Sequence, residues 1–307
     1  CQAPDGKPSS DTGRVAAGPR RRHGPGGAYA APMARTSAPV PPAARVLALA
    51  QRSFDAAREA LDGLDAATQA AVVCEAPLPR RVEILELLER PEDVVPLLPD
   101  AELCFTARAV GLADAGPLLR HASLDQIRTA VDLDAWRGLA PDREVLSEWL
   151  EALSEAGDEK LLEALRGLDR ELVVLWLRDA ARVWLDASDD QDPPDGAMTL
   201  DGQFFLVARR NDDHLELVMR SLRVAFEADY GLYVQLLLGA IHESDADCEE
   251  YALRWRTGRL EELGFPAWEE AMRVYGHVPA SERGRLDGGD RALPPGSLPA
   301  PPPWLPA

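Results

Sequence analysis

The sequence lacks any apolar run that is long enough to cross a lipid bilayer. The longest uncharged stretch in the part of the chain that we expect to fold runs from Tyr230 to His242 and has 13 residues. Asp229 and Glu243 bound this stretch on either side. Because a transmembrane helix needs about 20 predominantly apolar residues, the stretch predicts a buried core helix, and we expect no membrane span.

Cysteine is scarce, and its spacing suits neither a disulfide framework nor a zinc knuckle. The four cysteines are Cys1, Cys74, Cys104 and Cys248, and no two of them form a Cys-x-x-Cys pair. Cys74 and Cys104 lie among apolar residues, where cysteine behaves as a small hydrophobic side chain. This use of cysteine is typical of a reducing compartment, so we expect a cytoplasmic protein.

Aromatic residues make up only 6% of the sequence, and β-branched residues are also sparse, whereas leucine and alanine dominate. Leucine and alanine favour helices, while β-branched and aromatic residues favour strands. The hydrophobic fraction of 46% is ordinary for a globular protein. The composition therefore predicts a folded, mainly α-helical protein.

Basic residues are too few to balance the acidic ones. The chain has 33 lysines and arginines against 52 aspartates and glutamates, a net charge of −19. Residues 1–45 alone carry +5, so the remainder carries −24. Because a surface of that sign repels phosphate backbones, we expect no nucleic-acid partner and favour another protein as the partner.

The common catalytic and nucleotide-binding motifs are missing. The sequence contains no Gly-x-Ser-x-Gly, no Walker loop and no Gly-x-Gly-x-x-Gly. Each of these motifs marks a site whose chemistry depends on its spacing. We therefore favour a protein that is not an enzyme, we assign no catalytic residue, and the sequence defines no cofactor.

Composition divides the chain into five segments. The N-terminal segment is rich in glycine, proline and arginine and has no hydrophobic periodicity, which is typical of an extension that lies outside the fold. The predicted segments are a disordered or non-native extension (1–41), a short-helix repeat domain (42–186), an acidic linker loop (187–202), a C-terminal helical subdomain (203–278) and a proline-rich disordered tail (279–307).

A repeat is visible in the first predicted domain. Residues 93–112 and 114–133 are identical at nine of twenty positions when shifted by 21, and each contains a proline followed by a leucine pair. A fixed offset indicates a repeated structural unit, here a very short helix followed by a longer one. Because one unit cannot bury its own apolar face, neighbours must stack, which predicts a superhelical or solenoid-like arrangement. The alternative is chance similarity between two leucine-rich helices.

Two further segments flank the predicted linker. Residues 170–186 show strong helical periodicity, and we expect one helix over the whole range. Residues 203–208 (QFFLVA) are rich in strand-forming residues and lie close to residues 197–200. This pattern predicts one small β-hairpin near 197–208.

One group of basic and aromatic residues stands out near the end of the second predicted domain. Guanidinium groups bind carboxylates and phosphates, so the group is a candidate anion or partner site. In the alternative interpretation the aromatic residues lie in the core, and the arginines pair with Glu249, Glu250, Glu261 and Glu262 on the same helix. The candidate binding residues are Tyr251, Arg254, Trp255, Arg256 and Arg259.

A histidine and three carboxylates form the best candidate for a metal site. They are His242, Glu243, Asp245 and Asp247, and such side chains hold zinc or iron when their geometry converges. The zinc-protease pattern requires a second histidine four residues after the first, but position 246 is alanine. The alternative interpretation is a polar helix end.

Two resemblances follow from these patterns. The repeat at 93–133 resembles the cytosolic N-terminal helical superhelix of bacterial magnesium transporters of the MgtE type, which implies stacked short helices. The membrane domain and regulatory modules of those transporters are absent from this sequence.

A further set of motifs is spread over the wider chain, from about Ala76 to His277. The motifs are LDQ (124–126), VDLDAW (131–136), LDRE (168–171) and RTGRLEELGFP (256–266). On these motifs the chain resembles the bacterial domain-of-unknown-function family 6178, and the resemblance implies no activity, cofactor or site residue.

Together these observations favour a cytoplasmic helical scaffold or regulatory module that binds another protein. The alternative is an enzyme or a divalent-cation sensor with a composite acidic site around His242 and Glu243. The two hypotheses differ in whether the histidine and the carboxylates converge in one pocket.

Overall fold

The computed structural model describes residues 43–185, 195–210 and 212–266, together with 270, 272 and 273. The predicted N-terminal extension (1–41), residues 187–194 of the predicted acidic linker and the predicted proline-rich tail (279–307) lie outside the described residues. Everything described falls within one compact unit, Pro39–Ala307.

The prediction of a mainly α fold with a small β element is confirmed. The strands are β1 (Trp136–Arg137), β2 (Ala140–Pro141), β3 (Ala181–Leu185), β4 (Met198–Thr199) and β5 (Phe204–Ala208). The helices are α1 (Ala43–Ala50), α2 (Phe54–Asp62), α3 (Ala66–Glu75), α4 (Arg81–Leu85), α5 (Pro91–Val94), α6 (Asp100–Val110), α7 (Gly116–Leu119), α8 (Leu124–Asp134), α9 (Arg143–Ala156), α10 (Asp158–Gly167), α11 (Arg170–Ala180), α12 (Asp212–Ala228), α13 (Tyr230–His242) and α14 (Asp245–Glu262).

Local hydrogen bonds explain where α8 begins and what holds the segment before α6. Ser123 and Gln126 form a capping box, in which each side chain bonds the other residue's backbone N–H. The buried Gln126 amide also donates to the carbonyls of Val95 and Leu98, at 2.8 and 2.7 Å. One side chain therefore caps α8 and fixes the turn that leads into α6.

The two halves of the predicted repeat contain similar elements, but residues that the repeat makes equivalent are not equally buried. Each half has short helical turns followed by an 11-residue helix, α6 or α8, and these two helices pack against each other. Leu97 is 52% exposed, whereas its sequence equivalent Leu118 is fully buried. The buried residues Leu103, Cys104, Thr106 and Ala107 of α6 correspond to Gln126, Ile127, Thr129 and Ala130 of α8, an offset of 23. The burial of α6 and α8 thus matches at an offset of 23, and the repeat at an offset of 21 and a superhelical arrangement stay predictions.

The two leucines provide a matched test of this register. Leu118→Ala should lower the free energy of unfolding by about 3 kcal/mol, because it leaves a cavity in the core. Leu97→Ala should change it by less than about 0.5 kcal/mol, since the side chain is mostly in water. Urea unfolding followed by circular dichroism measures both values, and similar losses for the two variants would contradict the assigned burial.

The prediction of one helix over residues 170–186 is wrong at its C-terminal end. Helix α11 stops at Ala180, and residues 181–185 form strand β3 instead. The chain turns extended at Ala181 because β3 pairs with β5 in an antiparallel register from Ala181↔Ala208 to Leu185↔Phe204. The predicted hairpin is confirmed, since β4 pairs with β5. Sheet pairing thus overrides the helical periodicity of this segment.

A second, unpredicted hairpin joins α8 to α9. Strands β1 and β2 pair antiparallel, with Trp136 opposite Pro141. Gly138 has a φ of +65°, a left-handed conformation that glycine adopts without strain. The hairpin places the Trp136 ring beside α14, where it takes part in the site described below.

Residues of both predicted domains share one hydrophobic core. Helix α10 packs on α12, and α11 packs on α13 and α14. Trp149 of α9 is fully buried in this core, and its indole Nε1 donates to Asp134 at 2.7 Å. Arg108 also pairs with Asp134. The boundary between the predicted domains stays a sequence prediction.

The helix predicted for the longest uncharged stretch is present with the same bounds, as α13 (Tyr230–His242). Its residues Tyr233, Leu236, Leu237 and Gly239 are buried. Among the described helices, none combines the length and the apolar character that crossing a membrane requires.

Candidate functional site

Helix α14 carries all five candidate binding residues, and its ends are well defined. The Ser244 hydroxyl oxygen accepts the backbone N–H of Asp247 at 3.1 Å, which caps the first turn. At the other end, Gly264 adopts a φ of +87°, and the N–H of Phe265 bonds the carbonyl of Leu260. The buried residues Cys248 and Ala252 face the core, so the opposite side of the helix is free to face outward.

Two of the candidate arginines hold α14 onto the rest of the protein. The Arg259 guanidinium donates to both carboxylate oxygens of Asp132, at 2.7 and 2.9 Å. It also donates to both oxygens of Asp169, at 2.8 and 2.6 Å. Arg256 donates to the backbone carbonyl of Asp132 at 2.7 Å, and its guanidinium lies 4.9 Å from the centre of the Trp136 ring. We call Arg256, Arg259, Asp132 and Asp169 the arginine clamp.

The electrostatics of the clamp follow from its burial. The Asp132 side chain is only 3% exposed. Burial raises the pKa of Asp132 above its ordinary value, while the hydrogen bonds and charge of Arg259 act in the opposite direction. Burial lowers the pKa of Arg259, but the hydrogen bonds and charges of the two carboxylates more than offset it and leave that pKa raised. Each charge is therefore compensated by a partner on another element.

The two aromatic residues point outward. Tyr251 is 50% exposed and Trp255 is 52% exposed. They lie one helical turn apart, so their side chains are neighbours on the helix surface. Arg254 is exposed beside them, and a Cβ atom added at Gly258 would meet nothing within 4 Å. These four residues form what we call the α14 outer face. Arg254, Trp255 and Gly258, but not Tyr251, line a shallow groove of about 740 Å³, which Arg259 also lines.

The rim of the outer face is acidic. Glu250, Glu261 and Glu262 are exposed, and none of them forms an ion pair with another residue in the described part of the chain. Arg254 likewise has no ion pair within that part. The other acidic residues of α14 are already engaged: Glu249 and Asp245 by Arg143, and Asp247 by Ser244. The outer face thus offers aromatic surface with a net negative rim.

The alternative interpretation of the five candidate residues placed the aromatic side chains in the core and paired the arginines with glutamates of the same helix. The structure differs from both expectations. Tyr251 and Trp255 do not lie in the core, since about half of each side chain is exposed. Arg256 and Arg259 do not pair with the glutamates of their own helix, because Asp132 and Asp169 on other elements hold them. The five candidate residues therefore divide into an inward pair of arginines and an outward set of Tyr251, Arg254 and Trp255.

The candidate metal ligands are near one another in the chain, but other partners occupy their carboxylates. Glu243 pairs with Arg170 and accepts from the Cys248 thiol at 3.4 Å. Asp245 lies 3.1 Å from the Arg178 guanidinium. Within the described residues, no three histidine, cysteine or acidic side chains are grouped so that they could hold a metal ion. The geometry does not bring His242, Glu243, Asp245 and Asp247 together as a ligand set.

The metal hypothesis stays a prediction that a direct measurement can decide. We expect the purified protein to hold less than about 0.1 zinc or iron per chain, because arginines neutralise the carboxylates that a cation would need. Metal analysis by mass spectrometry, with His242→Ala as the control variant, tests this expectation. Stoichiometric metal that disappears in His242→Ala would instead establish the cation-sensor alternative.

The two aspartates of the arginine clamp were missed by reasoning from the sequence. Asp132 and Asp169 lie in the VDLDAW and LDRE motifs, which carried the family resemblance but no assigned role. Asp132 is 127 positions from Arg259, and Asp169 is 90 positions away. The available signal was the spacing of Arg256 and Arg259, which puts both on one side of a helix, but it does not show which carboxylates they meet.

The fold and the clamp define a class: a mainly helical protein in which guanidinium–carboxylate pairs hold helix α14 against the rest of the fold, while Tyr251 and Trp255 of that helix stay exposed. Within that class the chain belongs to a family of unknown function, DUF6178, whose match covers residues 58–305. No curated protein and no solved structure matches the chain. The resemblance to MgtE-type transporters stays a prediction from the sequence.

Proposed function

We propose that this protein is a helical scaffold or regulatory module that binds another protein through the α14 outer face. The observation that carries the proposal is the exposure of Tyr251 and Trp255, at 50% and 52%, on a helix that Arg259 holds against Asp132 and Asp169. Tyrosine, tryptophan and arginine are the residues that most often dominate binding energy in protein interfaces. The outer face presents all three within two helical turns.

The arginine clamp adds to the suitability of this surface. Arg256 and Arg259 make five hydrogen bonds to Asp132 and Asp169, one of them to the Asp132 backbone carbonyl. These bonds and the contact of Arg256 with the Trp136 ring would have to break before α14 could shift. A surface that is already ordered loses little conformational entropy on binding. The outer face therefore supports affinity without a prior rearrangement of the helix.

Charge defines the partner's chemistry. The rim glutamates Glu250, Glu261 and Glu262 and the net charge of −19 favour a contacting segment that is basic and apolar. The same charge disfavours nucleic acid, whose phosphates would be repelled. We further propose that the protein acts in the cytoplasm, which is supported by the free thiols of Cys74, Cys104 and Cys248.

Paired aromatic substitutions test the proposal. The double variant Tyr251→Ala/Trp255→Ala should reduce capture of the partner from native lysate by about tenfold or more, because each aromatic anchor contributes on the order of 2 kcal/mol. Quantitative mass spectrometry of proteins retained by the immobilised full chain measures this reduction. The signal that matters is a protein that is retained by the unaltered chain and lost in the double variant.

The matched control is Phe105→Ala, which removes an aromatic side chain of similar exposure, 48%, from α6. It should leave capture unchanged. Equal loss of the same protein in both variants would show that general exposed apolar surface is responsible, and this would contradict the assignment of the α14 outer face.

A further inference from the structure

We propose that the chain's own proline-rich segment, residues 291–307, binds the α14 outer face and competes there with the partner. The inference rests on the proposed function, because it gives that binding surface an intramolecular ligand. It identifies the class of ligand as an extended proline-rich segment with a basic residue at one end. The consequence is a module that is occluded by its own chain until a partner displaces the segment.

The chemistry of the surface fits this ligand. Proline-rich segments favour the polyproline II conformation and dock onto exposed aromatic side chains, with little ordering entropy to lose. Tyr251 and Trp255 supply two such side chains one turn apart. Gly258, one turn further along, leaves open space for a backbone to lie close to the helix.

The chemistry of the segment is complementary to that surface. Its sequence is RALPPGSLPAPPPWLPA, in which Pro-x-x-Pro spacing occurs at 299–302 and again at 303–306. Arg291 is its sole charged residue, opposite in sign to the rim glutamates Glu250, Glu261 and Glu262. The family match extends through residue 305, so most of the segment belongs to the same family module as the clamp.

The connection between surface and segment is long enough. Residues 267–293 comprise 27 positions. Trp255 lies seven residues before the end of α14, which corresponds to about 10 Å along the helix axis. Even at the helical rise of about 1.5 Å per residue, 27 residues would reach roughly 40 Å. Because the segment is tethered, its effective concentration at the surface is on the order of millimolar, which is enough for a weak contact to form.

Photo-crosslinking in the full chain tests the inference. Ala300 is replaced by the photoreactive residue benzoylphenylalanine, and mass spectrometry locates the crosslinked residues. We expect crosslinks within one chain to residues 250–262. The yield should fall roughly fivefold in Trp255→Ala, as loss of one aromatic contact predicts, and it should be unchanged in Phe105→Ala. Mixing isotopically labelled and unlabelled chains separates crosslinks within a chain from those between chains.

The outcomes distinguish this inference from the proposed function. Crosslinks to other elements, crosslinks only between chains, or a yield that Trp255→Ala leaves unchanged would each overturn the inference. If partner capture depends on Trp255 while the crosslink does not, the proposed function stands and the inference fails. If the crosslink depends on Trp255 while no captured protein does, the intramolecular contact is established and the proposed function fails.

Discussion

Replacing Arg259 with alanine should lower the free energy of unfolding by about 3 kcal/mol. The substitution removes four hydrogen bonds to Asp132 and Asp169. The Asp132 carboxylate, whose side chain is 3% exposed in the intact protein, would then lose the guanidinium that bonds both of its oxygens. An uncompensated buried charge is far more costly than the loss of a surface ion pair. Urea unfolding followed by circular dichroism gives the difference.

Two variants on the same helix act as controls. Arg254→Ala removes an exposed guanidinium that is outside the clamp and should change the free energy of unfolding by less than about 0.5 kcal/mol. Arg259→Lys keeps the charge but lacks the planar fork that bonds two carboxylates, so it should restore only part of the loss. If Arg259→Ala were no more destabilising than Arg254→Ala, the clamp would not be a stabilising element.

Replacing Trp149 with alanine should have the second large effect, a loss of about 4 kcal/mol in the free energy of unfolding. The side chain is fully buried among core residues of α9 and its neighbours. Its removal leaves a large cavity and also takes away the indole N–H that bonds Asp134 at 2.7 Å. Thermal unfolding should show a clearly lower midpoint for this variant.

Trp149→Phe separates the two contributions. Phenylalanine fills most of the space but has no N–H, so the loss should be about 1–2 kcal/mol. Asp134 keeps its ion pair with Arg108 in this variant, which limits the cost of the missing hydrogen bond. A loss in Trp149→Phe as large as in Trp149→Ala would show that the hydrogen bond, and not the packing, holds this site together.

Much of the helical structure was predictable because its determinants are local. The stretch 230–242 was predicted as a buried helix from its lack of charge, and α13 has the same bounds. The strand at 181–185 was not predictable in this way. Val183 and Trp184 also fit a helical pattern, and what decides their conformation is pairing with Leu206 and Phe205, more than 20 positions away. Non-local hydrogen bonds outweighed local periodicity there.

The candidate site was predictable only in its composition. The cluster of Tyr251, Arg254, Trp255, Arg256 and Arg259 could be found from the sequence, but the division into an inward and an outward set could not. That division depends on which side of α14 meets Asp132 and Asp169, and those carboxylates come from distant parts of the chain. For the same reason, the burial of Leu118 and the exposure of its sequence equivalent Leu97 were not evident.

The separation of Asp132 and Arg259 along the chain also bears on synthesis at the ribosome. The two residues are 127 positions apart, and translation at roughly 5–20 residues per second would place about 6–25 s between their emergence. During that interval α8 carries a carboxylate whose guanidinium partner has not yet been made. The nascent chain therefore cannot complete this part of its core until α14 has been translated.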